Sequence, residues 1–371
     1  MAPYVFLLFV SFLFCFVAKT RERHKLLVGS GEVISKNNLA ISVFFMLLWF
    51  LLACRTTEIG NDTANYKYYF DKYGRLNLTQ IFNGDRELLF RALNWFVGQM
   101  TDNFQIYLAV VAAIIVLPIA TLYNQDKRHS YLKIILFVNM SVFVMLFSGI
   151  RQAIAMSIGL IAFHFVKKKK LISFLVTVFI AMGFHASAFM LFAMYPIYYF
   201  RLKKKHVYII VPLIAIVYIF NRPIFTGLLN MMTLLNAGYG DYASLSNTSA
   251  VTMIILFVAF TLFAYVIPDE KKVDDQFIGM RNYLLLATLL QCFAPLHSLA
   301  MRMNYYYILF VPMVIPMALN YAHNRWKQVA KFAEIVMCVF FTIYFLYTAY
   351  IGVQTGGGAM NTYPYIPFWA E

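Results

Sequence analysis

Charge is scarce in this chain. Only 13% of its 371 residues are Asp, Glu, Lys or Arg, and just 16 are acidic. A soluble domain carries about 25% charged residues, so a globular aqueous fold is excluded. Cysteine is scarce as well. Cys15, Cys54, Cys292 and Cys338 all lie within or beside apolar runs, and none forms a Cys-x-x-Cys pair. They read as small core residues, with neither a disulfide nor a metal site. There is no His-x-x-x-His, no Asp-x-Asp and no cluster of carboxylates in the expected outer loops, so no metal and no cofactor are expected. Strand-length alternation of apolar and polar residues is also missing, which excludes a membrane barrel. No repeat of fixed period, soluble domain or low-complexity linker breaks the chain, and residues 1–371 are read as one domain.

Long apolar runs fill the space. The composition is 62% hydrophobic, with a mean hydropathy of +0.69. Runs near 20 residues mark membrane spans, so the fold class is an all-α, polytopic integral membrane protein. The formal charge of +15 comes from Lys and Arg clusters at the ends of these runs. Such clusters mark cytoplasmic ends, so the charge sets orientation. Nucleic acid is not an expected partner, because no basic soluble domain exists to hold it.

The clusters order the chain. The run 3–18 is followed by Lys19, Arg21, Arg23 and Lys25, which makes it an uncleaved first span with its N-terminus outside. The run 39–54 returns outward to a long polar loop, 55–103. Within that loop, residues 87–100 have helical periodicity. Leu89, Leu93, Phe96, Val97 and Met100 form an apolar stripe, with Glu87, Arg91 and Asn94 on the other side. An amphipathic helix at the outer membrane surface is expected. A second outer loop covers 221–250. The whole pattern gives about twelve spans with both termini outside.

Three hairpins present a lone polar group outward. Arg151 sits in Ser148-Gly149-Ile150-Arg151-Gln152, between basic clusters on both flanks. His185 sits in Gly183-Phe184-His185-Ala186-Ser187, at the tip of the 30-residue run 171–200. Two helices of about 14 residues are roughly 21 Å each, against a core of about 30 Å, so that tip should lie below the outer surface. Arg302 marks the third hairpin. The outer loops add Asp62, Glu87, Arg91, Arg222 and Asp241. Charged groups on one face of a membrane bundle are functional candidates by default. Guanidinium groups bind phosphate bidentately and stabilise a leaving diphosphate. A carboxylate or imidazole accepts a proton from an attacking hydroxyl. The aromatic residues of the first loop can stack on sugar rings. Each group also has a plain structural reading. Arg151 and Arg302 suit helix-end arginines, Asp62 an Asx-turn, Glu87 with Arg91 an i,i+4 surface pair, and His185 a helix-end hydrogen bond.

Five stretches carry a resemblance. They are Gly60-Asn61-Asp62-Thr63-Ala64-Asn65-Tyr66; Glu87 with Leu89-Phe90 and Leu93-Asn94; Ser148-Gly149-Ile150-Arg151-Gln152; Phe184-His185-Ala186-Ser187-Ala188; and Arg302 before a Tyr-rich span. In this order they resemble the EpsG family, within the broader group of Wzy-type O-antigen and capsule polymerases. The family usually has Glu-Pro where this chain has Glu87-Leu88. The resemblance implies a multi-pass bacterial inner-membrane glycosyltransferase with a periplasmic active face. It would join undecaprenyl-diphosphate-linked oligosaccharide repeat units, with undecaprenyl diphosphate leaving. It also implies a chain-length regulator as partner. On this reading Arg151, Gln152, Arg302, Arg91 and Arg222 bind substrate or diphosphate, and Asp62, Glu87 or His185 supplies the base. A lipid-linked oligosaccharide flippase and a related polyprenyl-donor ligase are the alternatives.

Overall fold

The computed structural model describes residues 1–28, 39–84, 86–126, 128–234 and 251–370. Among these residues helices dominate, and the β-structure consists of two isolated bridges, Arg55 to Pro367 and Pro268 to Ala322. Asp241, in the second expected loop, lies outside the described residues. So do Lys127 and the loop joining the first two helices.

Chain contacts divide the protein into two compact units, Met1–Phe189 with Ala333–Glu371, and Met190–Phe332. The first unit opens with α1 (Ala2–Val28) and α2 (Leu39–Ala53). The outer segment then folds as α3 (Thr63–Gly74), α4 (Leu78–Ile81) and α5 (Leu88–Gly98). α6 (Phe104–Tyr123), α7 (Ser130–Asn139), α8 (Ser141–Ser148), α9 (Ile150–Lys167) and α10 (Leu171–Met182) follow. The second unit contains α11 (Met194–Tyr198), α12 (Val207–Ile219), α13 (Asn221–Leu234), α14 (Val251–Val266), α15 (Asp275–Gln291), α16 (Ser298–Ile308) and α17 (Val311–Asn320). α18 (Lys327–Gln354) closes the chain's helical order.

Among the described residues, α6, α9 and the segment Asn324–Gln354 are long and apolar enough to cross a membrane. Two further pairs qualify jointly, with α7 and α8 bent by 62° and α12 and α13 by 75°. Other apolar helices are shorter, at 10–17 residues. The first bend falls at Met140, which is extended. Beside it, the Asn139 side-chain amide donates to the Ile135 and Phe341 carbonyls, local side-chain competition that breaks a helix. At the second bend, Asn221 donates to the Cys292 carbonyl at 3.0 Å. Pro223 sits in the first turn of α13, where its missing N–H is not needed.

The outer loops are more helical than expected. α13 occupies the start of 221–250, and α3 is a helix that the loop reading of 55–103 leaves out. Tyr66, Phe70 and Tyr73 on α3 are buried at spacings of four and three, one helical face. α3 and α5 pack together, with Trp95 donating to the Leu76 carbonyl and Gln99 to that of Gly74. In α5 the buried residues are Phe90, Arg91, Asn94 and Val97. The side expected to be polar therefore faces the protein, while Phe96 and Met100 of the apolar stripe are exposed.

The tail after α18 returns to the C-terminal end of α2. Thr56 N–H donates to the Ile366 carbonyl, Phe368 N–H to that of Cys54 and Gly60 N–H to that of Asn361. Tyr4 and Tyr365 hydroxyls donate to the Thr362 and Leu51 carbonyls. Beneath this strap Arg55 is buried, bonded to the Leu52 carbonyl at 2.6 Å and set against the Phe147 ring.

Candidate functional site

Three helix ends meet in the first unit. Glu87 is the N-cap residue of α5, in an extended conformation and with no capping bond from its side chain. The carboxylate is therefore available elsewhere. Leu88 occupies the first helical position. α5 is held against the tip after α10 by Leu89 N–H, which donates to the Gly183 carbonyl at 2.9 Å. A Cβ on Gly183 would stand 2.7 Å from the Leu89 side chain, so this approach requires glycine. His185 follows two residues later, its N–H bonded to the Ala181 carbonyl. Gly149 separates α8 from α9 and puts Arg151 in the first turn of α9.

The side chains then converge on Glu87. Arg151 Nη1 donates to Glu87 Oε2 at 2.6 Å. His185 Nδ1 and Ala186 N–H both lie 3.3 Å from Oε1. The three side chains are about one-fifth exposed, at 19% for Glu87, 22% for Arg151 and 17% for His185. The Arg151 guanidinium also lies 5.7 Å from the centroid of the Phe90 ring, and its Nε has no hydrogen-bond partner. Burial works to raise the Glu87 carboxyl. The hydrogen bond with His185 and the Arg151 charge outweigh it and hold the pKa down at about 2. At neutral pH Glu87 is therefore held as a carboxylate. A carboxylate beside an imidazole can orient the ring for proton transfer.

Tyr66, not singled out from the sequence, belongs to the same neighbourhood. Its ring packs edge-on against Phe90 at 5.8 Å. Burial raises its phenol pKa, the nearby Arg151 pulls it back and Asp62 adds to the rise. The signal for it was present in the helical spacing of Tyr66, Phe70 and Tyr73.

The other candidates are placed as follows. Asp62 is the half-buried N-cap of α3. Its loop is pinned to the end of α8. Thr63 Oγ1 bonds the Ile59 carbonyl and reaches that of Phe147 at 3.3 Å. Gly60, at φ +89, presses on the same Phe147 carbonyl. Arg91 does not pair with Glu87. It is buried, its Nη2 is 3.4 Å from the Phe82 carbonyl, and its guanidinium packs on Gly84. Gln152 is buried on α9. Arg302, on α16, and Arg222, on α13, are exposed residues of the second unit.

An all-helical chain with long apolar spans and a charged cluster at the tips of its helical turns defines a polytopic membrane protein with a polar site. The EpsG family matches residues 38–366. The chain therefore belongs to the EpsG family, which is a family of Wzy-like polymerases. No curated protein and no solved structure matches it.

Proposed function

We propose that the protein is a polysaccharide polymerase of the bacterial inner membrane. It joins undecaprenyl-diphosphate-linked oligosaccharide repeat units at the periplasmic face, and the whole chain acts as one polymerase domain. Twelve passes are counted as α1, α2, α6, α7 with α8, α9, α10, the segment 186–198, α12, α14, α15, α16 with α17, and α18. Both termini are then periplasmic.

The observation that carries this reading is the placement of Glu87 between a guanidinium and an imidazole, in a chain of the EpsG family. His185 takes the proton as an acceptor hydroxyl attacks the anomeric carbon of the donor. The new C–O bond forms, the C–O bond to the diphosphate breaks, and undecaprenyl diphosphate leaves with the electron pair. Glu87 orients His185 and stabilises its charged form. Arg151 binds the diphosphate through the part of its guanidinium that Glu87 leaves open, and a bidentate guanidinium suits that charge. Gln152 supports Arg151, and Asp62 holds a sugar hydroxyl. The reaction needs no metal.

The test is polymerisation of purified diphosphate-linked repeat units by the reconstituted protein, with and without EDTA. A product ladder from the wild type, resistant to EDTA and absent in Arg151→Ala, supports the proposal. A ladder from Arg151→Ala refutes the role of that arginine. Lipid-linked units that stay on the cytoplasmic side in a strain carrying the variant mark a flippase, and loss of single-unit transfer to the final acceptor marks a ligase.

A further inference from the structure

The outer side of α3 carries an arrangement that the transfer step leaves unused. At 100° per residue, Asp71, Arg75, Tyr68, Lys72 and Tyr69 follow one another round one side of the helix, with the buried Phe70 beyond Tyr69. Tyr68 is 60% exposed. The Tyr69 ring lies parallel to Tyr73, with centroids 5.7 Å apart, and edge-on to Tyr68 at 5.5 Å. Arg86 lies over Tyr69, its guanidinium carbon 5.0 Å from the ring centroid. Its Nε donates to the Tyr69 hydroxyl at 2.9 Å, and Nη2 donates to the same oxygen. The Lys72 ammonium stands 6.0 Å from the Tyr68 centroid and 5.6 Å from that of Tyr73. The exposed charges on α3 and at Arg75 and Arg86 are the cations Lys67, Lys72, Arg75 and Arg86, with Asp71 as the acid.

We infer that this ledge of Tyr68, Tyr69, Lys72 and Arg86 binds an acidic saccharide, a glycan whose pyranose rings carry carboxylates. Tyrosine faces suit the apolar C–H faces of pyranoses, and cations fixed beside them suit the carboxylates. The ledge also runs into the candidate site. Arg86 and Glu87 are consecutive, and the Phe90 ring touches both parts, with Tyr69 edge-on at 6.2 Å and the Arg151 guanidinium at 5.7 Å. This assignment rests on the polymerase reading for its meaning, while the binding itself is measured independently.

The experiment uses the full-length protein in lipid nanodiscs, with tetragalacturonate and neutral maltotetraose as probes, followed by saturation-transfer NMR and titration calorimetry. Tetragalacturonate should bind about tenfold more tightly than maltotetraose, a difference of about 1.4 kcal/mol. Arg86→Gln and Tyr68→Ala should each weaken it about fivefold, or about 1 kcal/mol. In the polymerisation assay the two ledge variants should make shorter chains while still forming the first linkage. Equal affinity for the two probes, or tetragalacturonate binding indifferent to both ledge substitutions, overturns the inference. Polymer formation without saccharide binding at the ledge removes this inference alone. Ledge binding by a protein that forms no polymer refutes the polymerase reading and leaves the ledge standing.

Discussion

Glu87→Gln is nearly isosteric and removes only the charge that Arg151 and His185 share. The folded carboxyl sits at about 2 against an ordinary 4.5, a gap worth about 3 kcal/mol in favour of the charged form. A side chain 19% exposed keeps most of that, and the variant also leaves Arg151 without its counter-charge. The expected loss of stability at neutral pH is about 2–3 kcal/mol. The folded pKa is the depressed one, so this contribution is complete above about 4.5 and disappears as the pH falls toward about 2. Thermal unfolding of the two proteins, measured from pH 7 to pH 3, should show a gap that narrows below about 4.5. The polymerisation rate should fall by roughly 10² to 10⁴, the range for general acid–base catalysis, because the imidazole loses its orienting carboxylate. Parallel stability curves over this pH range, or a rate within a few-fold of the wild type, would refute the reasoning.

Three further outcomes are expected. Arg151→Lys keeps the charge but loses the bidentate fork, so affinity for undecaprenyl diphosphate should drop about tenfold in a filter-binding assay. His185→Ala should lower the polymerisation rate by roughly 10² or more with donor binding retained, whereas Asp62→Asn should act mainly on the apparent KM for the sugar. If Asp62→Asn is the more damaging of the two in rate, the base has been misassigned. Gly60→Ala puts a side chain at a positive φ against the Phe147 carbonyl. It should cost about 1–3 kcal/mol, read as lower melting temperature and folded yield.

Much of the local structure was legible. The turns around Ser148–Gln152 and Gly183–Ser187 and a helix within 87–100 follow from residue type and spacing. The face of α5 was harder. Periodicity identifies two sides of a helix but not which one meets the protein, and here Arg91 and Asn94 are buried while Phe96 is exposed. α3 was masked by its polar composition, because its buried face is made of tyrosines that also suit a membrane interface. The i,i+4 pairing of Glu87 with Arg91 was the simplest local expectation. Arg91 instead turns to Phe82 and Gly84.

Hydropathy is a sum over neighbours in sequence, so the amino-acid sequence by itself determined the helical, membrane-spanning class and the residues that interrupt it. The partners of the carboxylate were decided only by tertiary structure. Arg151 is 64 residues from Glu87 and His185 is 98, and nothing local relates them. They meet because the Leu89 amide docks on the Gly183 carbonyl and because Gly149 starts α9 in reach of the same point. A contact across such distances depends on how helix ends pack, which no window of sequence records.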